Sequence, residues 1–289
     1  MNSPSEAAVP TATAAATDAG ATSSGYTRRR IQRWRQGRRE QVQDDVAEEM
    51  PIDMRYNGVS FAVMMATPHD LDDFALGFSL SERLITEPAQ LLSCELHERL
   101  EGIQLAMTVS PEASAAQLDG KPERLLPGRG SCGICGTREL EAAVRQPEHI
   151  RHAASFRAGA LARALEQLPS LQTMNAATGA VHAAAWADAE GRVMLVREDV
   201  GRHNALDKLI GALARIGMAA DAGMLLLTSR ASYEMVTKAA HAGIGFMAAI
   251  SAPTALAIEL ANSAGVCLIG FARPGGHNVY THPERLLAD

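Results

Sequence analysis

Two thiols stand three positions apart between glycines in Gly130-Ser-Cys-Gly-Ile-Cys-Gly136. Glycines let the backbone turn sharply and leave both sulfurs accessible. Arg129 and Arg138 flank the pair, and a helix is expected just after Thr137. Nearby positive charge and a helix N-terminus both lower a thiol pKa and favour the nucleophilic thiolate. Such a thiolate can accept a sulfane sulfur and hold it as a persulfide, with the second cysteine free to resolve, relay or protect. Structural zinc competes with this reading, but it needs about four ligands. Cys94 and Cys267 are isolated, and neither His152 nor His182 has ligand spacing. A thioredoxin-like dithiol would follow a strand in a βαβ unit, whereas this pair sits in a Gly-rich linker. An incidental pair of loop thiols is the bland alternative.

A second set of residues suits an anion. Three strand-to-helix turns, Glu198-Asp-Val-Gly-Arg-His-Asn204, Thr228-Ser-Arg-Ala-Ser232 and Ser251-Ala-Pro-Thr254, hold Arg202 and Arg230 and precede Lys208 and Lys238. In a mostly parallel sheet such turns gather at one edge, where helix N-termini present free N–H groups and partial positive charge. A phosphate or pyrophosphate fits there; ordinary capped turns are the alternative reading. Lysine occurs only at 121, 208 and 238 among 27 basic residues, so two of the three fall in these motifs. His182 and His203 read more readily as structural than as catalytic. The Rossmann and P-loop fingerprints are both missing.

These groups must be positioned by the elements around them. Residues 46–128 read as a small α+β unit, with a strand-like run over Tyr56–Met65, a helix over Asp70–Leu84 and a strand over Ile103–Val109. A Pro, Gly and Ser-rich break covers 111–136, and residues 129–150 form the C-x-x-C loop and its following helix (137–145). From 151 to 289 strand and helix alternate: a helix over 156–168, strands at 193–196, 224–227, 246–250 and 266–271, and helices capped by Asn204 and Ser232 or begun by Pro253. That alternation argues for α/β layers. Residues 1–45 read as a disordered tail with a basic arm, Arg28, Arg29, Arg30, Arg33, Arg35, Arg38 and Arg39. Such an arm is either solvated or in electrostatic contact with an acidic partner or polyanion.

The chain has 289 residues, 47% of them hydrophobic and 21% charged, which excludes wholesale disorder. A net charge of −6 argues against a general nucleic-acid binder. No apolar h-region follows the arginines, so no export signal is visible. The apolar stretch 239–272 is broken by Pro253, Glu259 and glycines. It reads as buried core rather than a membrane span, and the chain reads as cytoplasmic.

In combination the motifs resemble a known family. Cys132-Gly-Ile-Cys-Gly136, Thr178-Gly-x-x-His182, Glu198-Asp-Val-Gly-Arg-His-Asn-Ala-Leu-Asp-Lys208, Ser229-Arg-Ala-Ser-Tyr-Glu-Met-Val-x-Lys238, Ser251-Ala-Pro-Thr254 and Gly270-Phe-Ala-Arg273 occur in that order. Over residues 50–285 this is similar to the FdhD family, sulfurtransferases needed as accessory proteins for formate dehydrogenase. The resemblance implies that a cysteine desulfurase donates sulfur as a persulfide to Cys132 and Cys135, with Cys132 the carrier. It implies transfer to the molybdenum cofactor, in its bis-guanine-dinucleotide form, bound as substrate with no intrinsic metal. It implies a homodimer and a three-layer α/β/α sandwich resembling the cytidine deaminase fold, after the smaller N-terminal α+β domain. The cofactor-contacting segment maps onto Phe271, Ala272, Arg273, Pro274, Gly275 and Gly276; Arg202, Lys208, Arg230 and Lys238 are the further candidates for its phosphates. Deaminases hold zinc through an H-x-E paired with a P-C-x-x-C. That pairing is not found here, and the only C-x-x-C precedes the α/β region, so neither zinc nor deaminase activity is inferred. A cofactor-binding chaperone that moves no sulfur is the alternative function, and a zinc-stabilised nucleotide-binding module a more distant one.

Overall fold

The computed structural model describes residues 24–118, 147–150 and 153–289. Cys132, Cys135, the helix expected at 137–145 and the tail before residue 24 lie outside them.

The basic arm is ordered from residue 26 onward, which corrects the expected tail over 26–45. Strands β1 (Tyr26–Arg35) and β2 (Arg38–Ala47) form a two-stranded hairpin. Its turn is Gln36-Gly37, both with positive φ, the backbone that matches strand twist in a two-residue hairpin. Ile31 faces Val42 across the ladder, and Arg28–Asp45 and Arg33–Asp44 pair at 2.9 and 3.1 Å. Alternation in a polar, arginine-rich sequence hid these strands.

The small unit is a four-stranded sheet ordered β4-β3-β6-β5, from β3 (Met50–Tyr56), β4 (Val59–Ala66), β5 (Leu91–Arg99) and β6 (Gly102–Val109). The run read as one strand from Tyr56 is the turn and second arm of a hairpin. Asn57 and Gly58 both take positive φ, and Asn-Gly is the strongest short hairpin signal. Helix α1 (Leu71–Ser81) covers one face, building a core with Phe74, Phe78, Ile52, Met54, Leu105 and Met107. Its amphipathic spacing is weak because it is buried on nearly every side.

The larger unit is a six-stranded sheet ordered β13-β12-β11-β10-β8-β9. Its strands are β8 (His182–Ala187), β9 (Val193–Asp199), β10 (Met224–Leu227), β11 (Phe246–Ala249), β12 (Cys267–Arg273) and β13 (Gly276–Val279). The central β10, β11 and β12 are parallel, while β8 and β13 run antiparallel to their neighbours. Helices α2 (Ala158–Leu171) and α3 (Thr173–Thr178) precede β8. The short strands β7 (Phe156–Arg157) and β14 (Leu286–Leu287) pair near the start of α2. Helices α4 (Arg202–Arg215), α5 (Tyr233–His241) and α6 (Ala255–Ala264) supply the core on one face of the sheet. Helix α2, with Phe156, Phe246 and Ile269, supplies the core on the other.

Two expected helix starts differ. Asn204 lies inside the first turn of α4, whose N-cap is Gly201. Ala255, not Pro253, is the first residue of α6; Thr254 is its N-cap, and the Thr254 hydroxyl accepts from the Ala257 N–H. Ser232 does hold the N-cap position of α5, but its Oγ donates to Glu234 at 2.7 Å instead of capping.

The two units lock through α1 against α4. A methyl group on Gly77 would overlap the Asp207 carbonyl, and one on Gly211 would overlap that of Asp73. Only glycine at both positions lets the helix backbones approach this closely.

Candidate functional site

The three motif turns do gather at one sheet edge. Strands β9, β10 and β11 end there, and β8 begins there with His182, opposite Asp199. Ala231 bridges to Pro253, and the Thr254 N–H donates to the Ala231 carbonyl. The hairpin of β12 and β13 joins this edge: the Phe271 N–H donates to Ser251, and Arg273 donates to the Ile250 carbonyl at 2.6 Å. Of the expected site residues, Arg202, Arg230 and 271–276 therefore share the edge.

Each is displayed differently. Arg230, Arg273 and the Pro274-Gly275-Gly276 turn are exposed, and nothing lies within reach of a side chain added at either glycine. Ala272 is buried. Phe271 is 49% exposed and holds a left-handed φ of 52°, beside an irregularity in the β12–β13 ladder. Left-handed backbone is uncommon for a bulky aromatic, and such strain gathers at functional positions. Arg202 opens α4 half-buried, and its Nε makes no hydrogen bond. His203 follows it, buried, with neither ring nitrogen hydrogen-bonded and Nε2 3.5 Å from Glu234. The pKa of His182 is lowered by partial burial first and then by Arg202 and His203, so it stays neutral near pH 7.

The two lysines do not join them, which corrects their expected role. Lys208 is fully buried, 2.6 Å from the equally buried Asp199, and donates to the Thr67 carbonyl at 3.0 Å. Asp199 also accepts from the Thr67 and Gly201 N–H groups and from Asn204 Nδ2. Lys238 lies between Asp207 and Glu82, at 2.9 and 2.6 Å, and donates to Ser81. Burial opposes its charge, but Asp207 and Glu82 outweigh that and raise its pKa. Both ammonium groups are spent on carboxylates inside the protein. Sequence reading missed these carboxylates as a network; the acidic residues within the same motifs, Asp199 and Asp207, were the available signal. Glu198 likewise works structurally, accepting from the Met174 and Asn175 N–H groups at the start of α3.

The remaining described thiols are inert. Burial pushes Cys94 up to about 11 and Cys267 up to about 12, so neither supplies a thiolate near neutrality. Among the described residues no group of three or more His, Cys, Asp or Glu could hold a metal ion. His282-Pro-Glu284 has the H-x-E spacing, but His282 bonds to Glu284 itself and to the Asn262 carbonyl. Nor is any helix among them long and apolar enough to cross a membrane.

This is a mixed α/β protein of the architecture seen in the crystal structure of a putative formate dehydrogenase accessory protein from Desulfotalea psychrophila. The two share a TM-score of 0.68 at 22% identity, over 91% of this chain and 99% of that one. The chain belongs to the FdhD/NarQ family, whose profile matches residues 47–287. It is 57% identical over 262 residues to the sulfur carrier protein FdhD of Xanthomonas campestris, covering 91% of this chain and 92% of the relative. It is 51% identical over 256 residues to the protein of that name from Cupriavidus necator, covering 89% and 88%.

Proposed function

We propose that the chain is a sulfur carrier in the maturation of formate dehydrogenase. The observation that carries this is its similarity, along nearly the whole chain, to relatives named sulfur carrier proteins. In this reading the Cys132 thiolate attacks the terminal sulfur of a cysteine desulfurase persulfide. The new S–S bond forms on Cys132, the donor S–S bond breaks, and its electron pair leaves on the donor thiolate. Cys135 assists or relays. The partial burial of Cys94 and the full burial of Cys267 support this assignment, since the raised thiol pKa values disfavour them as competing nucleophiles.

The acceptor is the molybdenum cofactor in its bis-guanine-dinucleotide form, bound as substrate at the sheet edge. Arg202, Arg230 and Arg273 face its phosphates, and Phe271 offers a ring on which guanine stacks. The layered sheet belongs with the cytidine deaminase fold, and the protein acts as a cytoplasmic homodimer that delivers to formate dehydrogenase.

Incubation with a cysteine desulfurase and cysteine, followed by peptide mass measurement, tests the carrier role. We expect a gain of one sulfur, about 32 Da, on the peptide holding Cys132 and Cys135. It should vanish in Cys132→Ala and persist in Cys94→Ala and Cys267→Ala. No gain, with the desulfurase shown active on another acceptor, would leave a cofactor-binding chaperone that moves no sulfur.

A further inference from the structure

The sulfur-carrier reading leaves the N-terminal hairpin without a task. Its base is fastened to the body. Gly25, at φ 77°, sits where any side chain would overlap Met174 of α3, and its carbonyl accepts from the Glu48 N–H. Beyond that base the ribbon carries its charge outward. Residues 26–47 hold seven arginines against three carboxylates, a local excess of four positive charges. The chain as a whole is −6, so the remainder carries an excess of ten negative charges. Arg35, Arg38 and Arg39 crowd the tip, exposed and without an ion pair among the described residues. Trp34 lies directly opposite Arg39 and is 67% exposed. An isolated two-stranded ribbon is marginal by itself, and exposed Trp and Arg are the side chains that most often anchor interfaces.

The complementary surface is at the end of the small sheet where β3 starts, since Gly102 packs on the backbone of Pro51. The turn joining β5 and β6 is Leu100-Glu101, with Leu100 fully exposed and Leu96, 47% exposed, four residues back on β5. Glu98 and Glu101 are exposed and form no ion pair among the described residues, while Arg99 between them is turned toward Gln104. Acid and aliphatic groups here match the arginines and indole of the arm. Strand β5 is also an edge of its sheet, paired on one side only among the described residues.

We infer that the arm tip of one chain, Trp34 with Arg35, Arg38 and Arg39, docks on the β5–β6 turn of a second copy, Leu96, Glu98, Leu100 and Glu101. The pairing is reciprocal, as a two-fold dimer requires. Arm against arm would set arginine against arginine. This rests on the homodimer within the proposed function and names the surfaces that make it.

Sedimentation equilibrium of the full chain tests it, using wild type, R35E/R38E/R39E, E98R/E101R and the chain carrying both sets. Each set alone should weaken self-association at least about tenfold, and the combination should restore it to within a few-fold, because the swapped charges again attract. Wild-type association should also weaken as salt rises. Unchanged association in either single set, or no recovery in the combination, overturns the inference and leaves the homodimer standing on another surface. A wild-type chain that is monomeric throughout overturns both. Retention on a polyanionic resin that is lost in R35E/R38E/R39E while association is unchanged would assign the arm to a different partner and overturn the inference too.

A second readout needs no charge reversal and so does not depend on the variants folding. Of the two tryptophans Trp186 is buried and Trp34 exposed. Emission should therefore shift to the blue as wild type associates, and not in Trp34→Phe. Association with unchanged emission overturns the docking mode.

Discussion

Lys208 and Phe271, candidates from one set of sequence motifs, sit in opposite surroundings. Lys208 is sealed against Asp199 with no exposure at all. Removing one partner of a buried pair leaves the other charge uncompensated, which costs about 3–5 kcal/mol. We expect Lys208→Met to lower the urea midpoint by a corresponding amount. Phe271→Ala should leave that midpoint nearly unchanged, because the ring is half-exposed. It should instead weaken guanosine diphosphate binding, since stacking on an aromatic contributes about 1–3 kcal/mol per base. Calorimetric titration and urea unfolding of the two variants distinguish the roles. The reverse pattern would place binding at Lys208 and not at the hairpin. Cysteine follows the same logic: what differs between Cys267 and a reactive thiol is surroundings, and burial has already fixed the former as a core side chain.

Among the elements, the crossing of α1 and α4 joins the two units. Lys238, on α5, reaches Asp207 on α4 and Ser81 and Glu82 at the end of α1, so three helices share one ammonium. The Gly77–Gly211 contact sets how near they stand. Gly211→Ala should force the helices apart, and overpacking of this kind costs about 1–3 kcal/mol. Urea unfolding reads the loss. A Gly211→Ala chain as stable as wild type would show that the crossing can open to admit a methyl group. Elements also mark where sequence reading reached its limit. Strands in an apolar α/β core were legible from composition and alternation with helices. The arm β1–β2 was not, because its ladder is held by arginine–carboxylate pairs and few apolar contacts. Helix α1 was only half legible, since burial on all sides erases amphipathic spacing.

For the whole molecule, acid should loosen the joint between the two units. His241 donates Nδ1–H to the Ser81 carbonyl at 2.8 Å and is half-buried behind that same helix end. Burial first, with Arg83 and Lys238 nearby, lowers its pKa below the usual 6.5, although the Ser81 bond and Glu82 act the other way. His182 is lowered too. In the folded state both bind protons more weakly than in the unfolded chain, so the unfolded state takes up more protons as pH falls. Their contribution to stability is whole above about 6.5 and declines below it, through the lowered folded values. Urea midpoints measured from pH 7.5 to 5 should fall with acid, and less steeply in His241→Gln. An identical slope in that variant would remove His241 from the account.

The sequence by itself determined the local matters. It set the order of α/β elements beyond residue 151, the turn chemistry, the motifs that identify the family and the short-range pairing of Cys132 with Cys135, all of which depend on neighbours along the chain. The tertiary structure decided the fate of each charge. Lys208 meets Thr67 across 141 positions and Lys238 meets Ser81 across 157. A lysine beside a phosphate and a lysine buried against an aspartate have the same local sequence. What separates them is desolvation and the carboxylates brought from far away, and these exist only once the two units have packed.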